Sequence, residues 1–132
     1  MHSAQTMFDL VADIARYPEF IPGCSDAKIL EITDAGVVAR LDLSKAGVKQ
    51  SFATRNTNVA PSSIRLALED GPFESLDGEW RFEALSDDAC RVSLDLTFQL
   101  RSGVLKMAAS RLFESVADDL VDAMVKRANQ LS

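Results

Sequence analysis

Histidine is nearly absent from this chain: His2 is the only one, and the two cysteines, Cys24 and Cys90, lie far apart. Nucleophilic catalysis needs a base within hydrogen-bond reach of the nucleophile, most often an imidazole. A single histidine beside a terminus that ordinarily frays supplies none, so Ser-His-Asp and Cys-His arrangements are close to excluded. Lone cysteines without Cys-x-x-Cys spacing or a histidine cluster make neither a zinc site nor a redox pair; both are read as free thiols, with Cys90 beginning a strand. The glycines occur singly, with no strand-to-helix Gly-x-Gly-x-x-Gly and no Walker pattern, so no phosphate cradle for a nucleotide is visible. No apolar run approaches the roughly 20 residues that span a bilayer, and no basic segment with an apolar stretch and cleavage site opens the chain. The cytoplasm is therefore the default compartment. Basic residues are also in the minority, 14 Lys and Arg against 20 Asp and Glu for a formal net charge of -6, which disfavours binding of DNA or any other phosphate backbone by the whole surface.

What remains is enough for one core. At 132 residues and 47% hydrophobic content, the chain reads as a single domain over 1–132. Ser3 is a plausible N-cap, and Met7, Phe8, Leu10, Val11 and Ile14 recur at helical spacing until Tyr17-Pro18 intervenes. The stretch Tyr17 to Cys24, bracketed by Pro18 and Pro22 yet carrying Tyr17, Phe20 and Ile21, predicts a packed loop or single helical turn. From there the period changes to two. A hairpin is expected from Ala27–Ile32 and Val37–Ser44 around Thr33 to Gly36, followed by strands over Val48–Asn58, Ile64–Glu69, Trp80–Glu83 and Val92–Arg101. From about Gly103 to the end, Leu105, Ala109, Leu112, Val116, Leu120, Met124 and Leu131 form one apolar stripe, widened by Phe113, Ala117, Val121, Val125 and Ala128. The order predicts an α+β fold in which a long C-terminal helix, on the order of 40 Å, closes over an antiparallel sheet.

Such a chain reads as a binding protein rather than an enzyme. The carboxylate pairs Asp87-Asp88 and Asp118-Asp119 fall on a turn and a polar helix face, where solvated charge is the ordinary reading. More informative is the segment Asp70 to Trp80, with Gly71, Pro72, Phe73, Leu76, Gly78 and Trp80: a loop this rich in large apolar groups plugs the end of the sheet or lines a cavity mouth. Ala109, Ala117 and Ala128 leave room on the helix face or serve close backbone packing. Locally, Arg40, Lys45, Lys49 and Arg55 stand against Asp42 alone, a basic patch that either meets a phosphate surface such as RNA or a ribosome or is an ordinary exposed face.

Three phrases in order, Tyr17-Pro18-Glu19-Phe20-Ile21-Pro22-Gly23-Cys24, Ser44-Lys45-Ala46-Gly47-Val48 with Phe52-Ala53-Thr54-Arg55-Asn56, and Asp70-Gly71-Pro72-Phe73 leading to Gly78-Glu79-Trp80-Arg81-Phe82, resemble the bacterial ribosome association toxins of the START-like, coenzyme Q-binding (polyketide cyclase-like) family. The resemblance covers essentially the whole chain. It implies a helix-grip fold with a hydrophobic cavity that takes a hydrophobic small molecule, ubiquinone or a similar isoprenoid lipid, in support of respiration, with no cofactor required. For toxin-like members it implies association with the large ribosomal subunit that blocks subunit joining, here through Arg40, Lys45, Lys49 and Arg55. Carried onto this sequence, Tyr17, Phe20 and Ile21 with Phe73 and Leu76 form the cavity rim, while Phe52, Trp80, Phe98, Leu112, Phe113 and Val116 are its walls. A third alternative is a cyclase or aromatase of the same fold, which needs buried polar groups in the cavity; Arg55, Asp42 and Asp95 are the charged residues to check, with outward facing expected. Relatives begin with a strand before the first helix, whereas the sequence given opens at the helix cap. Either the sequence given starts short of that strand, or the sheet has an open edge, which invites dimerisation because unpaired backbone groups seek partners.

Overall fold

A computed structural model describes residues 2–45, 47–101 and 106–131. Ser3 caps helix α1 (Ala4–Ala12), its Oγ accepting the backbone N–H of Thr6 at 3.1 Å, and Met7, Phe8 and Val11 are buried along one side. Pro18 lacks a donor and restricts Tyr17, so the chain continues as a short 3₁₀ helix, Ile14–Glu19, with Ile14 and Tyr17 buried. Six strands follow: β1 (Cys24–Ile32), β2 (Gly36–Lys45), β3 (Val48–Val59), β4 (Ser63–Asp70), β5 (Phe73–Ser86) and β6 (Ala89–Leu100). Each pairs antiparallel with the next, giving one sheet in sequence order. Bulges interrupt the register in β1–β2, β3–β4 and β5–β6, and each bends its strand and adds twist, so the sheet curves. Helix α2 (Lys106–Leu131) has 26 residues, about 39 Å at 1.5 Å per residue, and lies across the inner face.

Alternation decides which side chains face the helix. Ala39, Leu41 and Leu43 of β2 stand opposite Thr54, Phe52 and Gln50 of β3, and Leu66 stands opposite Asn56 and Gly78. The outer face carries the charge: Arg65 and Arg81 pair with Glu79, Arg65 also with Asp77, Arg81 with Asp95, and Arg55 with Glu69 and Glu31. Exposed pairs of this kind contribute little stability, at most about 1 kcal/mol each.

Two expectations need correction. The apolar segment Asp70 to Trp80 is not a loop; only the Gly71-Pro72 turn is, and β5 already begins at Phe73. Gly71 makes the tight reversal possible because its φ is +142° and a Cβ there would stand 2.8 Å from the Phe52 Cβ. On α2 the apolar stripe is buried at Ala109, Leu112, Phe113, Val116, Met124 and Ala128, but Leu131 is 65% and Val125 41% exposed: Val125 stands between the buried Met124 and Ala128 on the side of the helix turned away from the core, and Leu131 is the last residue of the helix. Leu105 and Gly103 lie outside the described residues. Among those described, no strand precedes α1, and β6 has β5 as its single neighbour. Its inward residues Cys90, Val92, Leu94, Leu96 and Phe98 are accordingly only half-buried.

Candidate functional site

Between the inner face of the sheet and α2 lies a cavity of about 80 Å³. One end is walled by four phenylalanines from four elements: Phe113 of α2 stands 4.6 Å from Phe73, 5.5 Å from Phe52 and 5.9 Å from Phe98, centroid to centroid. These edge-on and tilted rings suit the aromatic quadrupole. At the other end Tyr17, Ile14 and Ile21 come from the 3₁₀ helix and the chain after it, beside Cys24. The roof is the α2 series Phe113, Val116, Ala117 and Leu120, whose spacing of three and four residues keeps them on one side of the helix. The small Ala117 leaves space under the middle of α2 where a larger side chain would fill it.

Across the floor, the inward row Val37, Asn56, Leu66, Gly78 and Leu96 passes through five strands. Gly78 contributes no side chain, and the Leu96 and Leu66 methyls close over it; a Cβ there would meet them at 2.8 and 3.4 Å.

No charged residue lines the cavity among the described residues, and its polar groups are few: those of Tyr17, Cys24, Thr54 and Asn56 and the indole N–H of Trp80. The Tyr17 hydroxyl donates to the Val11 carbonyl, and burial, chiefly, pushes its ionisation far above the ordinary phenol range. Burial likewise pushes the Cys24 thiol up to about 11, with the nearby Asp26 and Asp42 charges adding to the effect. The two ionisable groups of the cavity are thus held protonated at neutral pH, which leaves no base there for proton abstraction. Among the described residues Thr54 and Asn56 are the buried polar ones, 8% and 4% exposed, and the Thr54 hydroxyl donates to Asn56 Oδ1 at 2.7 Å. Among the described residues no group of three or more His, Cys, Asp or Glu side chains is placed to hold a metal ion. His2 is far from this site, with Nε2 2.8 Å from Asn129 Oδ1.

Of the residues singled out from the sequence, Tyr17, Ile21, Phe52, Phe73, Leu76, Trp80, Phe98, Phe113 and Val116 line the cavity together. Phe20 and Leu112 do not. Phe20 turns outward under the Arg127 guanidinium, 5.1 Å from the ring centroid, while Arg127 also binds Glu19 at 2.8 Å and so ties the end of α2 to the 3₁₀ helix. Leu112 is buried in the core behind the lining residues. Thr54 and Asn56 escaped notice, although the parity of β3 places them: with Phe52 inward, residues 54 and 56 are inward too. Asp42, Arg55 and Asp95 face outward as expected, bonded to Arg40 and Ser51, to Glu69, and to Arg81.

The basic patch dissolves in three dimensions. Arg40 pairs with Asp42 at 3.0 Å, Arg55 with Glu69 and Glu31, and Lys45 with Asp119 and the Ser115 hydroxyl. Reading charge along the chain missed Glu31, Glu69 and Asp119, which the sheet and α2 bring in from elsewhere. Of the four, Lys49 alone keeps an unpaired charge among the described residues. No described helix is long and apolar enough to cross a membrane.

Comparison with known proteins places this geometry. A family model described as polyketide cyclase / dehydrase and lipid transport matches residues 1–125. The chain is 43% identical over 129 residues to the ribosome association toxin RatA of Vibrio cholerae, a match that covers 98% of this chain and 90% of that protein. It is 28% identical over 133 residues to the coenzyme Q-binding protein COQ10 homolog B, mitochondrial, of Xenopus laevis, covering 98% of this chain and 54% of that protein. In structure it is similar to a START superfamily protein from Mycobacterium smegmatis, with a TM-score of 0.82 and 25% identity over 99% of this chain and 92% of the other.

Proposed function

The chain belongs to the polyketide cyclase / dehydrase and lipid transport family, and from that premise we propose that it is a noncatalytic binder of an apolar small molecule, of the ubiquinone or isoprenoid-lipid kind, held between sheet and α2. The observation that carries this reading is the cavity itself, walled by aromatic and aliphatic side chains from every layer of the fold and free of charged groups among the described residues. Ligand sites for drug-sized molecules have volumes of about 300–1,000 Å³. The space here is about 80 Å³, so entry requires α2 or the phenylalanine cluster to move outward. Apolar ligand surface then replaces water at the lining. The coenzyme Q-binding name of the Xenopus relative supports the same chemistry. Native mass spectrometry of protein purified from cells under gentle conditions tests it: a quinone or other isoprenoid lipid is expected at one per chain. Protein that carries none and takes up no decylubiquinone from micelles overturns the reading.

A second reading, toxin-like association with the ribosome, is favoured by the name of the Vibrio relative at 43% identity. It does not compete with the first, since a cavity ligand and a surface partner use different parts of the molecule. Cosedimentation with large ribosomal subunits on sucrose gradients tests it, repeated with Lys49→Glu and with Lys45→Glu. Loss of association in Lys49→Glu would assign the contact to the end of β3. Association unchanged in both variants removes Lys45 and Lys49 from the reading, and absence of cosedimentation removes the reading.

A further inference from the structure

Asn56 is an anomaly in the cavity floor. Its cross-strand neighbours are Val37 and Leu66, both apolar, and it is 4% exposed in a cavity otherwise built to exclude water. A polar side chain in such a place is costly unless its hydrogen bonds are made. One of them is: the Thr54 hydroxyl donates to Oδ1 at 2.7 Å. That bond also sets the orientation of the amide, turning Nδ2 away from Thr54. Nδ2, which carries two N–H donors, has no acceptor among the described residues. Nor is it sealed in protein, since no described buried side-chain nitrogen or oxygen lacks a partner. It therefore opens onto the cavity that Asn56 lines or onto the adjoining crevice of about 10 Å³ that Asn56 shares with Ile14, Tyr17, Leu66 and Trp80. That crevice has room for about one water and no more.

Two other polar groups of the cavity are already committed. Tyr17 donates to the Val11 carbonyl and the Cys24 thiol to the Asp26 carbonyl at 3.6 Å, so Asn56 Nδ2, with the indole N–H of Trp80 across the sheet, is left as a donor for a guest. A fixed N–H in an apolar enclosure, with no carboxylate or cation beside it, selects an uncharged acceptor.

We propose that Asn56 is the specificity-determining residue of the cavity, donating a hydrogen bond from Nδ2 to a carbonyl oxygen of an otherwise apolar ligand, with Thr54 positioning its amide. This rests on the reading of the cavity as an apolar-ligand site and adds the chemical class: a quinone or other ketone-bearing molecule, in preference to a plain hydrocarbon chain. A site holding a buried donor discriminates against a guest lacking the acceptor because the donor is then left without a partner.

The test compares two probes, decylubiquinone and an alkylbenzene with the same tail and no ring oxygen, by displacement of N-phenyl-1-naphthylamine fluorescence. Asn56→Leu is expected to lower the ratio of the decylubiquinone affinity to the alkylbenzene affinity by about 10-fold, the worth of one such bond. An unchanged ratio with both probes still binding overturns the role of Asn56 and leaves the cavity reading in place. Failure of decylubiquinone to displace the fluorophore from the unaltered protein overturns both. Should Asn56→Leu fail to fold, the side-chain amide protons of Asn56 in the unaltered protein decide the matter by nuclear magnetic resonance. A downfield shift with decylubiquinone but not with the alkylbenzene supports the bond; equal response to the two probes overturns it.

Discussion

Cys24 shows at the scale of one residue how the fold changes chemistry that the sequence leaves ordinary. Unfolded, its thiol titrates near 9; folded, burial moves it to about 11. The native state therefore holds its proton where the unfolded state has lost it. The contribution to stability is full below about pH 9 and declines as pH rises from 9 towards 11. Cys90 is shifted the same way by burial, and Tyr17 adds its own loss above pH 10. In a Cys90→Ala background, urea unfolding between pH 8 and 10 should show stability falling more steeply with Cys24 present than with Cys24→Ala. Parallel curves would show that the thiol is not buried as described. By the same physics about one Cys24 thiol in a thousand is ionised at pH 8, so alkylation by iodoacetamide there should be slow. An occupied cavity should slow it further, because Cys24 lines that cavity.

Elements meet at the phenylalanine cluster, where α2, β3, β5 and β6 each supply one ring. Phe113 is the helix's contribution, 5% exposed and in contact with the other three. Removing a buried phenyl ring costs about 3–5 kcal/mol when the surroundings do not collapse into the space. Phe113→Ala should therefore lower the free energy of unfolding by about 3 kcal/mol, the low end, since one side of the ring already borders the cavity. Chemical denaturation measures this, and a loss under about 1 kcal/mol would mean that α2 does not pack on this cluster. The same elements explain how far the site could be read in advance. Alternation in β2, β5 and β6 and the three-and-four spacing in α2 put Leu41, Trp80, Phe98 and Val116 on inner faces from the sequence alone. Phe20 does not line the cavity because it follows the end of the 3₁₀ helix, where periodicity gives no facing, and its ring lies against a partner distant in sequence, Arg127.

For the whole molecule, the side of β6 that has no strand beside it among the described residues is the feature with consequences for assembly. Twelve residues of one strand offer alternate N–H and C=O groups, and beside them the groove between β6 and α2 is bordered by Leu96, Phe98, Ser110 and Glu114. A second chain that adds to this edge would extend the sheet and cover the half-buried Leu96 and Phe98. Sedimentation equilibrium of the 132-residue chain should then show mass rising towards twice the monomer with concentration. Slow amide exchange along β6 should rise in parallel. A monomer mass at every concentration removes the expectation.

The sequence by itself determined the element order, the inward and outward parity of most strands, the long closing helix and the scarcity of catalytic groups, because these depend on local periodicity and on residue counts. It also carried the resemblance that the family match bears out. Only the tertiary structure decided that Lys45 and Arg55 are paired, because Glu31, Glu69 and Asp119 reach them from other elements. It alone brought the four phenylalanines together and placed Asn56, with one bond made at Oδ1, in the lining of an apolar space. Whether a polar side chain is satisfied depends on what stands around it in three dimensions, and those neighbours come from strands and a helix far apart along the chain.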